Sequence, residues 1–295
     1  MLNTNLILDI GTKSIKAFVY KNGSELLFKK KIQTSLGEHL DNQRISQPGI
    51  DMLVDVINNI IKETAHFDIN QINAFGTEVF RRAENIGNLQ KQIKEKTPVD
   101  IQVIDNQKEL ELYWTGLVRD FEHDGMIAAI DIGGGSVQFL YGDKNGLKGS
   151  HHLNTGTVFV HKQFIGSEPP TENEYKAIEQ YIAKQIADIN ITFPKGTPFI
   201  HGSSSVIDFY TEAKLPLEKY TFSPPHPYKI GLSEIDKFYK KLRSLPEEQR
   251  ETFFPSDPGF TKGASIGFAQ IIQIAKKTGL TYIVPSNNSL IHGFL

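Results

Sequence analysis

Leu6-Ile7-Leu8-Asp9-Ile10-Gly11-Thr12-Lys13-Ser14-Ile15-Lys16-Ala17-Phe18-Val19-Tyr20 consists of two short apolar runs around a polar turn that holds a glycine. This pattern predicts a β-hairpin. It returns as Ala129-Ile130-Asp131-Ile132-Gly133-Gly134-Gly135-Ser136-Val137-Gln138-Phe139-Leu140-Tyr141, with Asp131 standing 122 residues after Asp9. At that offset Asp9, Ile10, Gly11 and Ser14 match Asp131, Ile132, Gly133 and Ser136. A loop duplicated at domain-length spacing implies two similar domains facing each other, and the spacing is too long for a solenoid repeat.

Around these hairpins strands alternate with helices, the mark of α/β layering. Ile50, Leu53, Val54, Ile57, Ile60, Ile61 and Ala65 recur at the 3,4-spacing of an amphipathic helix that covers a sheet face. Strands are expected at Ile72 to Phe75, Ile101 to Ile104, Pro198 to His201 and Thr281 to Val284. Helices are expected at Leu89 to Lys96, Lys108 to Leu117, Asn173 to Ala187, Ser233 to Leu242 and Gly263 to Lys277, with one more from Val206. Pro216 to Pro227, rich in proline and aromatics, reads as an irregular surface excursion. The polar stretch Arg119 to Asp124 sets the boundary, so the domains are expected at 1–122 and 123–295, with the last few residues able to pack back on the first.

The 295 residues suit two domains. With 32 basic and 34 acidic side chains the net charge is −2, which argues against nucleic acid or an anionic membrane as partner. There is no cysteine, which excludes disulfides, thiolate metal sites and a cysteine nucleophile. The N-terminus carries no signal-peptide pattern and no apolar run is long enough to span a bilayer, so a soluble cytoplasmic protein is expected.

Three successive glycines after Asp131 let backbone N–H groups approach an anion without obstruction by Cβ, and Ser136 adds a hydroxyl at the edge. An aspartate before such a loop can orient a hydrated divalent cation beside phosphate groups. The competing reading is a tight hairpin whose glycines only satisfy positive φ angles; the second copy at Asp9 weakens it, because two such loops suit the gripping of one phosphate chain. Lys13 in the first loop and Arg81 after Gly76-Thr77 are candidates to neutralise phosphate, whereas Lys16 and Arg82 read as solvated surface charge. Glu109 and Glu111 are two apart on a helix and cannot share a face, and the residues alone favour an exposed helix-start role for either. The histidines show no metal-binding spacing, Ser203-Ser204-Ser205 lacks a nucleophile-elbow context, and there is no Walker A or dinucleotide fingerprint.

In order along the chain, the Asp9 loop, Gly76-Thr77 to Arg81, the Glu109 segment, Ile130 to Ser136, Asn154-Thr155-Gly156, Gly202 to Ser205 and the closing segment to Gly293-Phe294-Leu295 resemble the exopolyphosphatase and guanosine-pentaphosphate phosphohydrolase (Ppx/GppA) family. That family is a branch of the actin, Hsp70 and sugar-kinase superfamily. The resemblance implies two ribonuclease-H-like (actin-like ATPase) domains with mixed sheets flanked by helices and an active site in the interdomain cleft. It implies phosphate binding by Gly11, Thr12, Lys13, Ser14, Arg81, Gly133, Gly134, Gly135, Ser136, Gly202 and Ser203, with Mg2+ near Asp9 and Asp131. The family's catalytic base lies in a segment shaped like Ile-Ser-Gly-x-x-Glu-Ala-x-Leu, and Ile104-Asp105-Asn106-Gln107-Lys108-Glu109-Leu110-Glu111-Leu112 aligns Glu109 with it. The implied activity is hydrolysis of the terminal phosphoanhydride of inorganic polyphosphate. Guanosine pentaphosphate is the alternative substrate, and a non-catalytic polyphosphate or alarmone-binding regulator the alternative role. A homodimer is compatible with this reading.

The chain departs from the family pattern at several points. Thr12 and Lys13 replace serine and asparagine, Gln138 replaces a glutamate, Ser205 stands in a loop usually rich in glycine and threonine, and Asn287 stands where an aspartate is usual. These changes add positive charge to the first loop and remove negative charge from the second and the last.

Overall fold

The computed structural model describes residues 3–23, 25–221 and 225–295. By contact density the chain divides into two compact units, Met1–Glu109 with Leu295, and Leu110–Phe294. The boundary expected from composition lies further along, between residues 122 and 123.

In the first unit β1 (Thr4–Ile10), β2 (Ser14–Lys21) and β3 (Glu25–Gln33) form an antiparallel meander. A two-residue hairpin, β4 (Leu40–Asp41) and β5 (Arg44–Ile45), precedes α1 (Gln47–Thr64). Then come β6 (Gln71–Gly76), α2 (Glu78–Arg82), α3 (Ile86–Lys96), β7 (Ile101–Val103) and α4 (Asn106–Val118), which carries the chain from one unit into the next. The sheet order is β3-β2-β1-β6-β7, with β6 and β7 parallel to β1. Ser46 caps α1 by accepting from the Gly49 N–H, and Pro48 in the first turn costs no helical hydrogen bond. The face of α1 carrying Ile50, Leu53, Ile57 and Ile60 packs with Leu6, Leu8, Ile10, Ala17 and Val19 of the sheet. Burying one such aliphatic side chain is worth about 1.5–3 kcal/mol.

The second unit repeats the plan. Strands β8 (Ile127–Ile132), β9 (Val137–Asp143) and β10 (Gly146–Leu153) form the meander, followed by α5 (Thr157–Phe164), α6 (Glu172–Gln185), β11 (Phe199–Gly202) and α7 (Val206–Glu212). The chain continues through β12 (Glu218–Lys219), β13 (Tyr228–Gly231), α8 (Leu232–Arg243), α9 (Glu247–Glu251), α10 (Pro258–Thr261), α11 (Ala264–Thr278) and β14 (Tyr282–Ser286). Its sheet runs β10-β9-β8-β11-β14-β13-β12, and β11 is parallel to both β8 and β14. Thr171 and Glu174 form a reciprocal capping box at the start of α6, and Gly279 at φ 78° ends α11 in the left-handed conformation that glycine adopts without penalty.

The segment 216–227, expected to be an irregular surface excursion, is tied in at both ends. Glu218 and Lys219 pair with Lys229 and Tyr228, and His226 is fully buried with its Nε2–H donating to the Leu117 carbonyl at 2.9 Å. Part of that segment, 222–224, lies outside the described residues. Among the described residues no helix is long and apolar enough to cross a membrane.

Candidate active site

The two Asp-Ile-Gly turns close in the same way. The Gly11 N–H donates to the Ser14 carbonyl at 3.0 Å, and the Gly133 N–H donates to the Ser136 carbonyl at 2.9 Å. Neither Gly11 nor Gly133 to Gly135 has a positive φ, so these glycines are not there to turn a hairpin, as the competing sequence reading required. Gly133 answers a need for space, because a Cβ on it would lie 2.9 Å from the Ser136 carbonyl. Each loop is then pinned from behind through its carbonyls. In the first unit Gly37 N–H donates to Thr12 O at 2.8 Å, and the Thr34 and Ser35 N–H groups converge on Lys13 O at 2.9 Å. In the second, the first turn of α5 takes this part: Thr157 and Val158 donate to Gly133 O and Gly134 O, each at 3.0 Å. Gly156 makes that approach possible, since a Cβ there would sit 2.1 Å from the Gly135 carbonyl carbon.

The strand register sets the partners of the two aspartates. Asp9 faces Lys16 across β1 and β2, and Asp131 faces Gln138 across β8 and β9. Directly opposed residues on an antiparallel pair share a face and interact. Lys16 Nζ donates to Asp9 Oδ2 at 3.1 Å, with the Asp9 side chain 8% exposed. Gln138 Nε2 donates to Ser136 Oγ at 3.0 Å, both residues buried. Lys16 is therefore not the solvated surface charge its sequence context indicated. The only local signal for this was its register opposite Asp9 in the hairpin.

Arg81 lies on α2, a five-residue helix that folds back on β6 because Gly76 has no side chain: a Cβ there would meet the Phe80 ring at 2.5 Å. Its Nη1 donates to the Ile104 carbonyl at 2.9 Å, and its Nη2 lies 2.8 Å from Glu78 Oε2 and 2.7 Å from Glu109 Oε2. Arg82 also reaches Glu78, Nε to Oε1 at 2.6 Å, so it too is paired rather than solvated. Burial pushes the Glu78 carboxyl up, but hydrogen bonds and charge from Arg82 and Arg81 outweigh it and hold the group below the usual carboxylate range. Glu109 comes to this point through the start of α4, where the Asp105 carboxylate accepts from Lys108 N–H at 2.7 Å and Glu109 N–H donates to Asp105 O at 3.0 Å. Glu109 is buried and Glu111 exposed, which separates the two acids that the helical pattern alone left open. Glu78 is the member of this cluster that sequence reading missed, and its spacing of three and four from Arg81 and Arg82 was the available sign.

The third loop is built differently. A Cβ on Gly202 would collide with Leu117 at 2.0 Å, and the Tyr113 hydroxyl donates to the Gly202 carbonyl, so this glycine serves packing. The Ser203 N–H already donates to Ser286 O at 3.1 Å, so that amide is engaged within the protein. Asn287 accepts from the Ile207 N–H at 2.9 Å near the start of α7, a neutral capping contact in place of the family's charge.

Among the described residues no group of three or more His, Asp or Glu side chains forms a metal cage. Mg2+ beside phosphate commonly uses one or two carboxylates and takes its other ligands from water and substrate. Asp131, opposite an amide, fits that kind of shared site, whereas Asp9 already holds an ammonium in contact.

The repeated strand order and the repeated Asp-Ile-Gly turns define the duplicated, actin-like α/β class. Within that class residues 18–263 match the Ppx/GppA phosphatase family, and the chain belongs to it. It is 27% identical over 205 residues to a putative exopolyphosphatase of Haemophilus influenzae, covering 68% of this chain and 64% of the relative. It is 23% identical over 304 residues to a bifunctional 3-dehydroquinate synthase/phosphatase of Fusobacterium nucleatum, covering 97% of this chain and 45% of that protein. The chain thus spans from under half to under two thirds of these curated relatives. In fold it is similar to an exopolyphosphatase from Cytophaga hutchinsonii, at a TM-score of 0.86 and 21% identity, covering 99% of this chain and 96% of the other.

Proposed function

We propose that the chain is a phosphoanhydride hydrolase that releases orthophosphate from the end of inorganic polyphosphate. The observation that carries this reading is the buried carboxylate of Glu109 set 2.7 Å from the Arg81 guanidinium. A base beside a forked phosphate-binding cation brings a water and a terminal phosphoryl group to one place. Glu109 takes a proton from the water as its oxygen attacks phosphorus, the anhydride bond to the leaving oxygen breaks, and the shortened chain departs with the electron pair. In the first unit Arg81, Lys13 and the amides around Gly11 to Ser14 would meet the charge of a phosphate chain; the second unit offers donors of the same kind in the amides around Gly133 to Ser136 and the Ser203 hydroxyl. Mg2+ held by Asp131 would offset charge on the phosphate oxygens.

Two features favour retention of hydrolysis over simple binding. Glu109 is paired with Arg81 although Gln138 and Asn287 are neutral, and Arg81 also contacts Ile104 O and Glu78. The test is phosphate release by the purified protein with Mg2+ from long-chain polyphosphate and from guanosine pentaphosphate in parallel, with Glu109→Gln as control. Glu109-dependent release from polyphosphate supports the proposal. Faster release from guanosine pentaphosphate replaces the substrate, and tight binding without release from either makes the chain a regulator.

A further inference from the structure

The two halves of the duplication carry different built-in charge at one equivalent position. Across β1, β2 and β3 the register reads Asp9, Lys16, Lys31; across β8, β9 and β10 it reads Asp131, Gln138, His152. Lys16 stands seven residues after Asp9 and Gln138 seven after Asp131, so the hairpins superpose lysine on glutamine. The lysine is not on the periphery: its side chain is 22% exposed, and its ammonium lies 3.1 Å from Asp9 Oδ2, which is itself nearly buried. Like charges directly opposed on neighbouring strands are unfavourable, and Lys31 faces Lys16. Committing the Lys16 ammonium to Asp9 relieves that repulsion and neutralises the carboxylate beside the first loop.

We propose that Lys16 is the resident counter-cation of Asp9, so that Asp9 is not a metal ligand and the first loop meets phosphate with protein-borne charge. A divalent ion drawn to Asp9 would have to approach an oxygen already in contact with a full positive charge, in a partly buried setting where that repulsion is weakly screened. Lys16 then acts as a positioning residue: it fixes the Asp9 carboxylate behind the Gly11 turn and supplies the charge that a metal would otherwise bring. The role in phosphate binding rests on the polyphosphate reading above, whereas the statement about metal does not.

The test is titration of Mn2+ into the full chain, followed by its electron paramagnetic resonance signal, for the wild type, Asp9→Asn, Lys16→Gln, Lys16→Arg and the double variant Asp9→Asn/Lys16→Gln. Tripolyphosphate affinity is measured alongside by calorimetry in EDTA. Asp9→Asn should leave Mn2+ binding within about twofold of wild type, and Lys16→Gln should add a Mn2+ ion per chain that the double variant loses. Lys16→Gln should also weaken tripolyphosphate about tenfold, with Lys16→Arg restoring most of it. Loss of Mn2+ in Asp9→Asn alone would make Asp9 a metal ligand and overturn the proposal, as would a Lys16→Gln chain that gains no Mn2+. Should Lys16→Gln not fold, the Asp9→Asn and Lys16→Arg titrations still decide. Failure of the wild type to bind tripolyphosphate would remove the polyphosphate reading and leave the Mn2+ result standing.

Discussion

Arg81 Nη2 lies 2.7 Å from Glu109 Oε2, while the same nitrogen is 2.8 Å from Glu78 Oε2. One edge of a guanidinium is therefore shared between two carboxylates, and a phosphate that engages Arg81 must compete with both. On the proposed function, Glu109 and Arg81 would restrain each other until substrate arrives.

Glu109→Gln separates these two effects. Removing the base should lower the rate of phosphate release by about 10²–10⁴. Removing the negative charge also frees Arg81 from one competitor, so tripolyphosphate should bind at least as tightly as to the wild type. A parallel loss of turnover and affinity, measured by steady-state kinetics and calorimetry, would mean that Glu109 contacts substrate without acting as base.

Glu78→Gln probes the other carboxylate. The Glu78 carboxyl is held below its ordinary value of 4.5 by Arg82 and Arg81 against the opposing effect of burial. A depressed folded-state value contributes stability above the unfolded value and loses it as the pH falls through the folded one. With both arginines partly exposed, the variant should cost about 1–2 kcal/mol at pH 7. The gap between wild type and variant should narrow as the pH falls below the ordinary value of 4.5 and through the lowered folded one. Urea midpoints at pH 7 and pH 3.5 check this, and a gap of equal size at both would assign the loss to packing rather than charge.

The turn glycines are not equivalent, although sequence makes them look so. A Cβ on Gly11 would make ordinary contacts, the nearest at 3.5 Å, whereas one on Gly156 would meet the Gly134 and Gly135 backbone at 2.5 and 2.1 Å. Gly156→Ala should lower stability by about 1–3 kcal/mol and displace the second loop from α5. Gly11→Ala should stay within about 0.5 kcal/mol of wild type, so that any loss of phosphate release there reports ligand contact. Thermal midpoints of the two variants settle the contrast, and similar destabilisation by both would mean the first loop is more tightly packed than its contacts indicate.

Much of the fold was legible because the decisive signals are local. The Asp9 and Asp131 hairpins, the amphipathic stripe from Ile50 to Ile60 and the strand at Ile72 to Phe75 each lie in one short window. Edge strands β3 and β10 escaped notice because Glu25–Gln33 and Gly146–Leu153 are only half buried and their polar residues obscure the alternation. At the candidate site, sequence pointed to Arg81 and Glu109 separately, but their contact joins a helix start to a different helix end. Lys16 and Arg82 were misread as solvent charge because their partners, Asp9 and Glu78, become visible only when strand register and helix turn are laid out in space.

Two buried histidines give the second unit a defined acid limit. His201 sits in β11 with Nδ1 at 3.1 Å from the Tyr210 hydroxyl, and burial lowers its pKa to about 3. His226 is lowered to about 4, chiefly by burial, against the opposing effect of its bond to Leu117 O. Both groups bind protons more readily in the unfolded chain, near their ordinary value of 6.5, than in the folded one. Stability is therefore complete above about pH 6.5 and falls as the pH drops toward the folded values, by about 2–3 kcal/mol for each histidine at pH 4. His201→Gln keeps a polar partner for Tyr210 and removes the titration, so its urea midpoint should start lower at pH 7.5 and decline less steeply between pH 6.5 and pH 4. An unchanged slope would mean that other groups set the acid limit, whereas a slope that flattens again in His201→Gln/His226→Gln would assign the remainder to His226.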